Sequence, residues 1–172
     1  QNDTRYGWNE KKSYGIYCQA NKWGGTSSGL TFNNLKITDV YSVGLPEDFD
    51  AIKVTGLRFE SDANEEDAEG NVTTVVRFAD VLIVDCYFSH IGKAGVWATH
   101  SGAWDNSDWT INRNMNFVIK NNTFFQTGGS GVILGKMYNA LVENNDFDKT
   151  GYSNSTETRL AGRGSGMWTF RC

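Results

Sequence analysis

Residues 116–151 read NFVIKNNTFFQTGGSGVILGKMYNALVENNDFDKTG, a stretch that contains nearly the same phrase twice. Alignment on its phenylalanines finds similar copies upstream, which gives five anchor residues: Ile37, Phe59, Phe88, Phe124 and Phe147. Apolar residues stand five and seven positions before each anchor, which is the period-two spacing of a β-strand. A turn-forming residue stands three positions before each anchor, at Asn34, Gly56, Asp85, Asn121 and Asn144. Each copy therefore predicts a strand, a bend, an anchor and a second strand.

The spacing of the anchors predicts a solenoid. They are 22, 29, 36 and 23 residues apart, so the shortest unit has about 22 residues and the longer ones contain insertions. Units of this length that consist of strands favour a parallel β-helix, in which equivalent asparagines bond from coil to coil. With the strand GIYCQA at 15–20, the repeats predict an all-β, parallel β-helix of about six coils, and the length of 172 residues predicts a single domain.

Composition excludes several classes of protein. The 16 basic and 20 acidic side chains give a net charge of −4, which is too small to indicate a nucleic acid or an anionic membrane as the main partner. No apolar run is long enough to span a bilayer. The three cysteines, Cys18, Cys86 and Cys172, are widely spaced and fit neither a disulfide framework nor a C-x-x-C metal site.

The phrases VIKNNTFFQTGGSGVIL, LVENNDFDKTG and VLIVDCYFSHIGKAGVW resemble coils of the pectate-lyase-like superfamily of right-handed parallel β-helix proteins. The resemblance covers roughly residues 14–172. It implies a right-handed coil and a secreted, cell-surface or periplasmic carbohydrate-active protein, because polysaccharide lyases and glycoside hydrolases dominate that superfamily. Non-catalytic relatives such as tailspikes and adhesins leave a glycan-binding module as the alternative. The chain lacks the sequence motifs of pectate lyases and polygalacturonases, so no catalytic role is carried over from them.

Insertions at about 60–71, 99–116 and 152–163 flank one strand of each repeat and predict walls beside one sheet. The copies of that strand are aligned as 15–20, 73–78, 95–100, 131–136 and 166–171. Alternation directs Tyr17, Trp97 and Trp168 outward, together with Ile133. A column of exposed aromatic rings suits the stacking of sugar rings, and these three aromatic residues are the predicted substrate-binding contacts. The alternative is a second small core covered by the loops.

The same alignment places Arg77, His100, Lys136 and Arg171 in one column at the end of that strand. Such a basic stripe suits carboxylate or sulfate groups of an anionic glycan, with Arg77 as a further substrate contact, although solvated strand ends are an equal alternative. For β-elimination, His100, Lys136 and Arg171 are candidate catalytic residues. For hydrolysis, Asp105 and Asp108 in the insertion beside His100 are the candidate carboxyl groups, with Glu157 in a later insertion.

The remaining expectations concern cofactors and the end of the chain. No cofactor or metal site is predicted, although the acidic stretch SDANEEDAEG at 61–70 leaves calcium possible; a solvated loop is the favoured interpretation. The sequence stops in the middle of a coil, which predicts part of a longer β-helix, truncated at its C-terminal end, or an edge covered by self-association or another chain. From the resemblance and the composition together, the predicted partner is a polysaccharide, and neither a nucleic acid nor a membrane is predicted.

Overall fold

The computed structural model describes residues 13–41, 54–102, 111–151 and 165–172. Over these ranges the chain is all-β, and no helix is present that is long and apolar enough to cross a membrane. The strands in chain order are β1 (Ser13–Ala20), β2 (Thr26–Ser28), β3 (Thr31–Asn33), β4 (Lys36–Val40), β5 (Val54–Ser61), β6 (Glu65–Glu66), β7 (Val72–Thr74), β8 (Arg77–Val84), β9 (Tyr87–Ile91), β10 (Ala94–His100), β11 (Asn114–Lys120), β12 (Thr123–Thr127), β13 (Ser130–Gly135), β14 (Met137–Glu143), β15 (Asp146–Asp148) and β16 (Met167–Phe170).

Three parallel sheets contain all of these strands except the antiparallel hairpin β6–β7. Sheet A has the order β1-β5-β10-β13-β16, and sheet C has the order β15-β12-β9-β4. Sheet B has the order β14-β11-β8-β2, with β3 also paired to β8. The chain visits the sheets repeatedly in the order A, B, C, and each strand pairs in parallel with its counterpart from the next repeat.

A stack of phenylalanines and a row of glycines pack against each other in the core. Phe88, Phe124 and Phe147 are in register on sheet C, and their ring centroids are 5.0 Å apart at both steps. On sheet A the register aligns five glycines, Gly15, Gly56, Gly95, Gly131 and Gly166. A Cβ on Gly95 would collide with the Phe124 ring and lie 2.9 Å from the Gly131 carbonyl oxygen. These positions therefore require glycine so that the phenylalanine stack approaches the backbone of sheet A closely.

The bends between sheets B and C carry the predicted asparagine contacts between repeats, which are confirmed. Asn122 Nδ2 donates to Asn145 Oδ1 at 2.9 Å and to the Ile83 carbonyl at 3.0 Å. The Asn122 Oδ1 accepts a hydrogen bond from the backbone amide of Cys86. Cys86 is the residue that corresponds to Asn122 in the preceding repeat. The residue before this position has a positive φ in four repeats, at Asn34, Asp85, Asn121 and Asn144. Asn and Asp tolerate that backbone best after glycine, which explains the turn-forming residues in the pattern.

The predicted alignment of the second repeat is wrong. Phe59 is not a sheet C anchor, because it lies in β5 and is in register with Cys18 and Ala98 of sheet A. The strand predicted at 73–78 is not the sheet A strand of its repeat either, since β5 occupies that place. Phe59 also has apolar residues five and seven positions before it, but any strand with alternating apolar residues shows this spacing. After this correction, sheet A still has five strands among the described residues, whereas sheet C has four, one fewer than the five predicted anchors.

Candidate functional site

The central row of sheet A's outer face consists of Tyr17, Arg58, Trp97, Ile133 and Trp168, one residue from each strand. Their neighbours on the chain face the opposite way, since Val96 and Val132 belong to the main core. Trp97 and Ile133 belong instead to a second apolar cluster, against which Trp168 packs. The predicted outward direction of the aromatic residues is therefore correct.

The alternation on this face is interrupted at the glycine row. Ala94 belongs to the same outer cluster as Trp97, although three positions separate them. Tyr14 likewise stacks on Tyr17, with ring centroids 4.9 Å apart. Thr55 is in register with both Tyr14 and Ala94. Thr55 therefore lies on the outer face together with Arg58.

Exposure differs along the central row. Tyr17 is 42% exposed, whereas Trp97 is only 7% exposed and Ile133 is fully buried. Trp168, on the last strand, is half-buried. The expectation of a continuous column of exposed rings is therefore wrong at Trp97, because it packs with Ala94 and Ile133 in a second core. The alternative of a covered small core holds at the centre of the row, and the accessible aromatic groups lie toward its two ends.

Arg58 is the residue of this face that the sequence alignment missed. Its side chain is 4% exposed, and its guanidinium carbon lies 4.5 Å from the centroid of the Trp97 ring. Arg58 Nη2 lies 3.5 Å from Glu60 Oε1. Burial lowers the pKa of the Arg58 guanidinium, and the Glu60 carboxylate opposes that shift. A buried cation thus stands in the middle of the aromatic row.

Glu60 connects Arg58 to the exposed end of the row. Tyr17 Oη donates to Glu60 Oε2 at 3.2 Å. Burial, followed by the nearby Glu60 carboxylate, raises the pKa of Tyr17 to about 12. The phenol therefore stays protonated at neutral pH and acts as a hydrogen-bond donor. Tyr17, Glu60 and Arg58 form one polar chain across two strands.

A basic cluster lies where sheet A meets sheet B, and it differs from the predicted stripe. Arg77 begins β8 and pairs with Thr26, so its place in the sheet A column is wrong. Continuing the sheet B register backward from the start of β11 places Arg113 next to Arg77 and Lys136. We define the basic cluster as Arg77, His100, Arg113, Lys136 and Arg171. Sequence reasoning missed Arg113, because alternation was followed only along the sheet A strands.

His100 is buried and neutral within this cluster. It is 2% exposed, its Nε2 donates to the Val76 carbonyl at 2.7 Å, and its Nδ1 accepts from the Gly102 amide at 2.9 Å. Burial lowers the pKa of His100 to about 4, and the positive charges of Lys136, Arg77 and Arg113 add to the effect. Both ring nitrogens are engaged, so the imidazole holds the beginning of the insertion after β10.

Lys136 contacts the same insertion from the other side. Its Nζ donates to the Gly102 carbonyl, and the side chain is buried. Burial lowers the pKa of Lys136, with further contributions from the charges of Arg171 and Arg113. Arg171, at the exposed end of sheet A, accepts at its carbonyl a hydrogen bond from Arg113 Nη1. The structure thus brings His100, Lys136 and Arg171 together, as predicted from the sequence.

The predicted acidic residues Asp105 and Asp108 lie outside the described residues, as does Glu157. In the part of the chain that the structure describes, no group of three or more His, Cys, Asp or Glu residues could hold a metal ion. The acidic stretch at 61–70 contains the turn of the β6–β7 hairpin, where Asp67 Oδ1 accepts from the Glu69 and Asn71 amides. The side chain of Asp67 is thereby engaged in closing the turn.

No known protein family, curated protein or solved structure matches this chain.

Proposed function

We propose that the chain is a right-handed parallel β-helix of an extracellular polysaccharide-degrading enzyme, a lyase or glycoside hydrolase, which binds its glycan across the outer face of sheet A. The repeated visit to three parallel sheets supports the β-helix, because each strand pairs with its counterpart one repeat away. Such a coil presents equivalent side chains at regular steps, which suits a polymer with a regular repeat.

The central row of sheet A is the observation that carries this proposal. It combines Tyr17, Trp168 and the Arg58–Trp97 pair on adjacent strands. Five strands at a spacing of about 4.8 Å give a row roughly 19 Å long, which accommodates several sugar units. Aromatic faces stack on the C–H faces of sugars, while Glu60 and Arg58 provide hydrogen-bonding groups beside them.

Lys136 is the group in the basic cluster best suited to a lyase reaction. Burial and two neighbouring arginines lower its pKa, which favours the neutral amine that abstracts a proton from the carbon next to a carboxylate. Arg171 or Arg113 would then neutralise that carboxylate. His100 is less suited, since both of its ring nitrogens already have hydrogen-bond partners. In a hydrolase, Asp105 and Asp108 would supply the carboxyl groups.

A non-catalytic glycan-binding or adhesive module is the second candidate. The burial of His100 and Lys136 favours it, because a catalytic group must reach the polymer. In that case the exposed Tyr17 and the half-buried Trp168 make the contacts, and the basic cluster holds the insertion after β10 in place.

A panel of plant and algal polysaccharides tests these functions. New reducing ends together with absorbance of unsaturated uronates would show a lyase, and reducing ends alone would show a hydrolase. Binding without either product would favour the adhesive module. Tyr17→Ala should weaken binding, whereas Tyr138→Ala on sheet B should not, although the two tyrosines are 42% and 45% exposed. Equal binding by both variants would contradict a site on sheet A.

A further inference from the structure

Trp23 is the most exposed large apolar residue in the part of the chain that the structure describes. It is 86% exposed, whereas the next value, that of Leu141, is 48%. A tryptophan side chain buries about 150–250 Å² when it packs in a core, so leaving the indole in water forgoes a large stabilisation. Trp23 follows the end of β1 by three residues and is not a member of the central row of sheet A.

The turn that carries Trp23 is held by hydrogen bonds to Asn21. The side-chain oxygen of Asn21 accepts from the amides of Trp23 and Gly24, at 3.1 and 3.2 Å. Its carbonyl accepts from the amides of Gly24 and Gly25, at 3.1 and 2.8 Å, and Gly25 has the left-handed φ of +61° that favours glycine. The ring is therefore presented on an ordered backbone, which lowers the entropic cost of binding a ligand.

Lys22 and Glu65 border the indole ring. Lys22 Nζ lies 5.0 Å from the centroid of the Trp23 ring and 3.7 Å from Glu65 Oε1. The side chains of Lys22 and Glu65 are 48% and 43% exposed, so both remain open to a ligand. An indole with an ammonium donor and a carboxylate acceptor beside it matches a pyranose, which has apolar C–H faces and a rim of hydroxyl groups.

The charge beside Trp23 disfavours an anionic sugar. Residues 61–76 contain the β6–β7 hairpin, which Lys22 contacts through Glu65. This segment has no lysine or arginine and five acidic residues, Asp62, Glu65, Glu66, Asp67 and Glu69. Like charges placed side by side oppose binding, so a uronate or a sulfated sugar is repelled here. A neutral sugar is the ligand that this surface favours.

We propose that Trp23, with Lys22 and Glu65, forms a second carbohydrate-binding site, which takes a neutral pyranose of a polysaccharide. The site contains no residue of the central row of sheet A or of the basic cluster. It goes beyond the proposed function, because it attaches the protein to a neutral polymer without acting on that polymer. It does not require sheet A to bind or cleave a glycan. Exposed tryptophans also suit the surface of a membrane, which is the competing occupant in the test.

The first experiment locates the contact. The indole N–H signals of the six tryptophans are recorded by ¹⁵N NMR, and the Trp23 signal is identified by its absence from Trp23→Tyr. Cellohexaose, mannohexaose, hexagalacturonate and phosphatidylcholine vesicles are then added separately. We expect a neutral hexasaccharide to shift the Trp23 signal, and hexagalacturonate at the same concentration to shift it less. A larger effect of hexagalacturonate or of the vesicles, or no effect of either neutral sugar, would overturn the proposal.

The second experiment measures affinity by electrophoresis in native gels that contain a mixed-linkage β-glucan or a galactomannan. Trp23→Ala should raise the Kd for the polymer that retards the wild type about 10-fold, because the stacking surface is lost. Trp23→Tyr keeps an aromatic ring and should raise it less. Tyr138→Ala removes a different exposed ring, on sheet B, and should leave the Kd unchanged. Because Trp23 is exposed, its variants should fold, which their thermal unfolding curves check.

The variants separate this inference from the proposed function. If Tyr17→Ala weakens binding of the neutral polymer and Trp23→Ala does not, the Trp23 site is overturned and sheet A keeps its proposed role. If Trp23→Ala weakens binding, Tyr17→Ala does not and no polymer is cleaved, the Trp23 site stands and the proposed function fails. A wild type that no neutral polymer retards, or equal losses in Trp23→Ala and Tyr138→Ala, would refute the Trp23 site.

Discussion

His100 makes the stability of the protein depend on pH in a defined window. Its folded-state pKa is about 4 against an ordinary value of 6.5. Between these values the unfolded chain binds a proton at this position that the folded protein does not, so stability decreases as pH falls. The contribution of His100 is complete above pH 6.5, decreases as pH falls toward 4 and is lost below that value.

The magnitude follows from the same two values. A decrease from 6.5 to about 4 corresponds to roughly 3 kcal/mol, because one pKa unit is worth about 1.4 kcal/mol. Since His100 is 2% exposed, solvent screening reduces this figure little. The physical origin is the burial of the ring, because an imidazolium loses its hydration there, and the positive charges of Lys136, Arg77 and Arg113 add to the cost.

The measurement is the free energy of unfolding in urea across pH 4–7, for the wild type and His100→Gln. Glutamine retains a donor for the Val76 carbonyl and does not titrate. All other titrating groups are common to both proteins, so the difference between them isolates His100. We expect the wild type to lose roughly 3 kcal/mol relative to the variant between pH 7 and pH 4. A difference that stays constant across this range would refute the burial of a neutral imidazole.

Three further predictions concern the repeat itself, each measured by urea unfolding. Gly95→Ala should lower the free energy of unfolding by about 1–3 kcal/mol, because the added methyl group collides with the Phe124 ring. Gly24→Ala should lower it less, since the nearest atom to a Cβ there is 4.0 Å away. Equal losses would contradict the glycine row. Phe124→Ala should cost about 3–5 kcal/mol, and a loss under about 1 would contradict the stack. Asn122→Ala should cost about 1–3 kcal/mol and the exposed Asn139→Ala less; the reverse order would contradict the buried ladder.

The sheet C stack was predictable because three of its members are phenylalanines in the same local pattern. Phe88, Phe124 and Phe147 each follow a turn-forming residue by three positions, and the left-handed backbone at that turn limits the residue types allowed there. Two features of each copy, the anchor residue and the turn-forming residue, therefore mark the same repeat. Agreement between two independent signals is what made those copies align correctly.

The second repeat was misaligned because period-two spacing does not identify the sheet to which a strand belongs. Phe59 has suitable apolar neighbours, yet Gly56, read as a turn-forming residue, is a member of the glycine row. Aligned on the glycines, the five strands read glycine, apolar residue, outward residue: Gly15-Ile16-Tyr17, Gly56-Leu57-Arg58, Gly95-Val96-Trp97, Gly131-Val132-Ile133 and Gly166-Met167-Trp168. That signal was present in the sequence and would have found Arg58.

Burial on the outer face was not predictable in the same way. Alternation states on which side of a strand Trp97 lies, but not what packs against it there, since that depends on residues distant in sequence. Ala94 is on the same face only because the alternation is interrupted at Gly95. Period-two counting would have directed Ala94 inward. The second core therefore results from a local backbone irregularity that leaves no trace in the apolar pattern.

Correcting one repeat also changes the chemistry inferred for the face. In the predicted alignment, Arg77 belongs to a stripe of cations at the strand ends. That stripe is separate from the row of aromatic residues, so the stripe and the row could act independently. With Arg58 in the row, a cation is stacked on Trp97, with Tyr17 on the strand at its other side. The corrected alignment therefore joins a cation and aromatic rings in one row of sheet A, whereas the predicted alignment kept these two features apart.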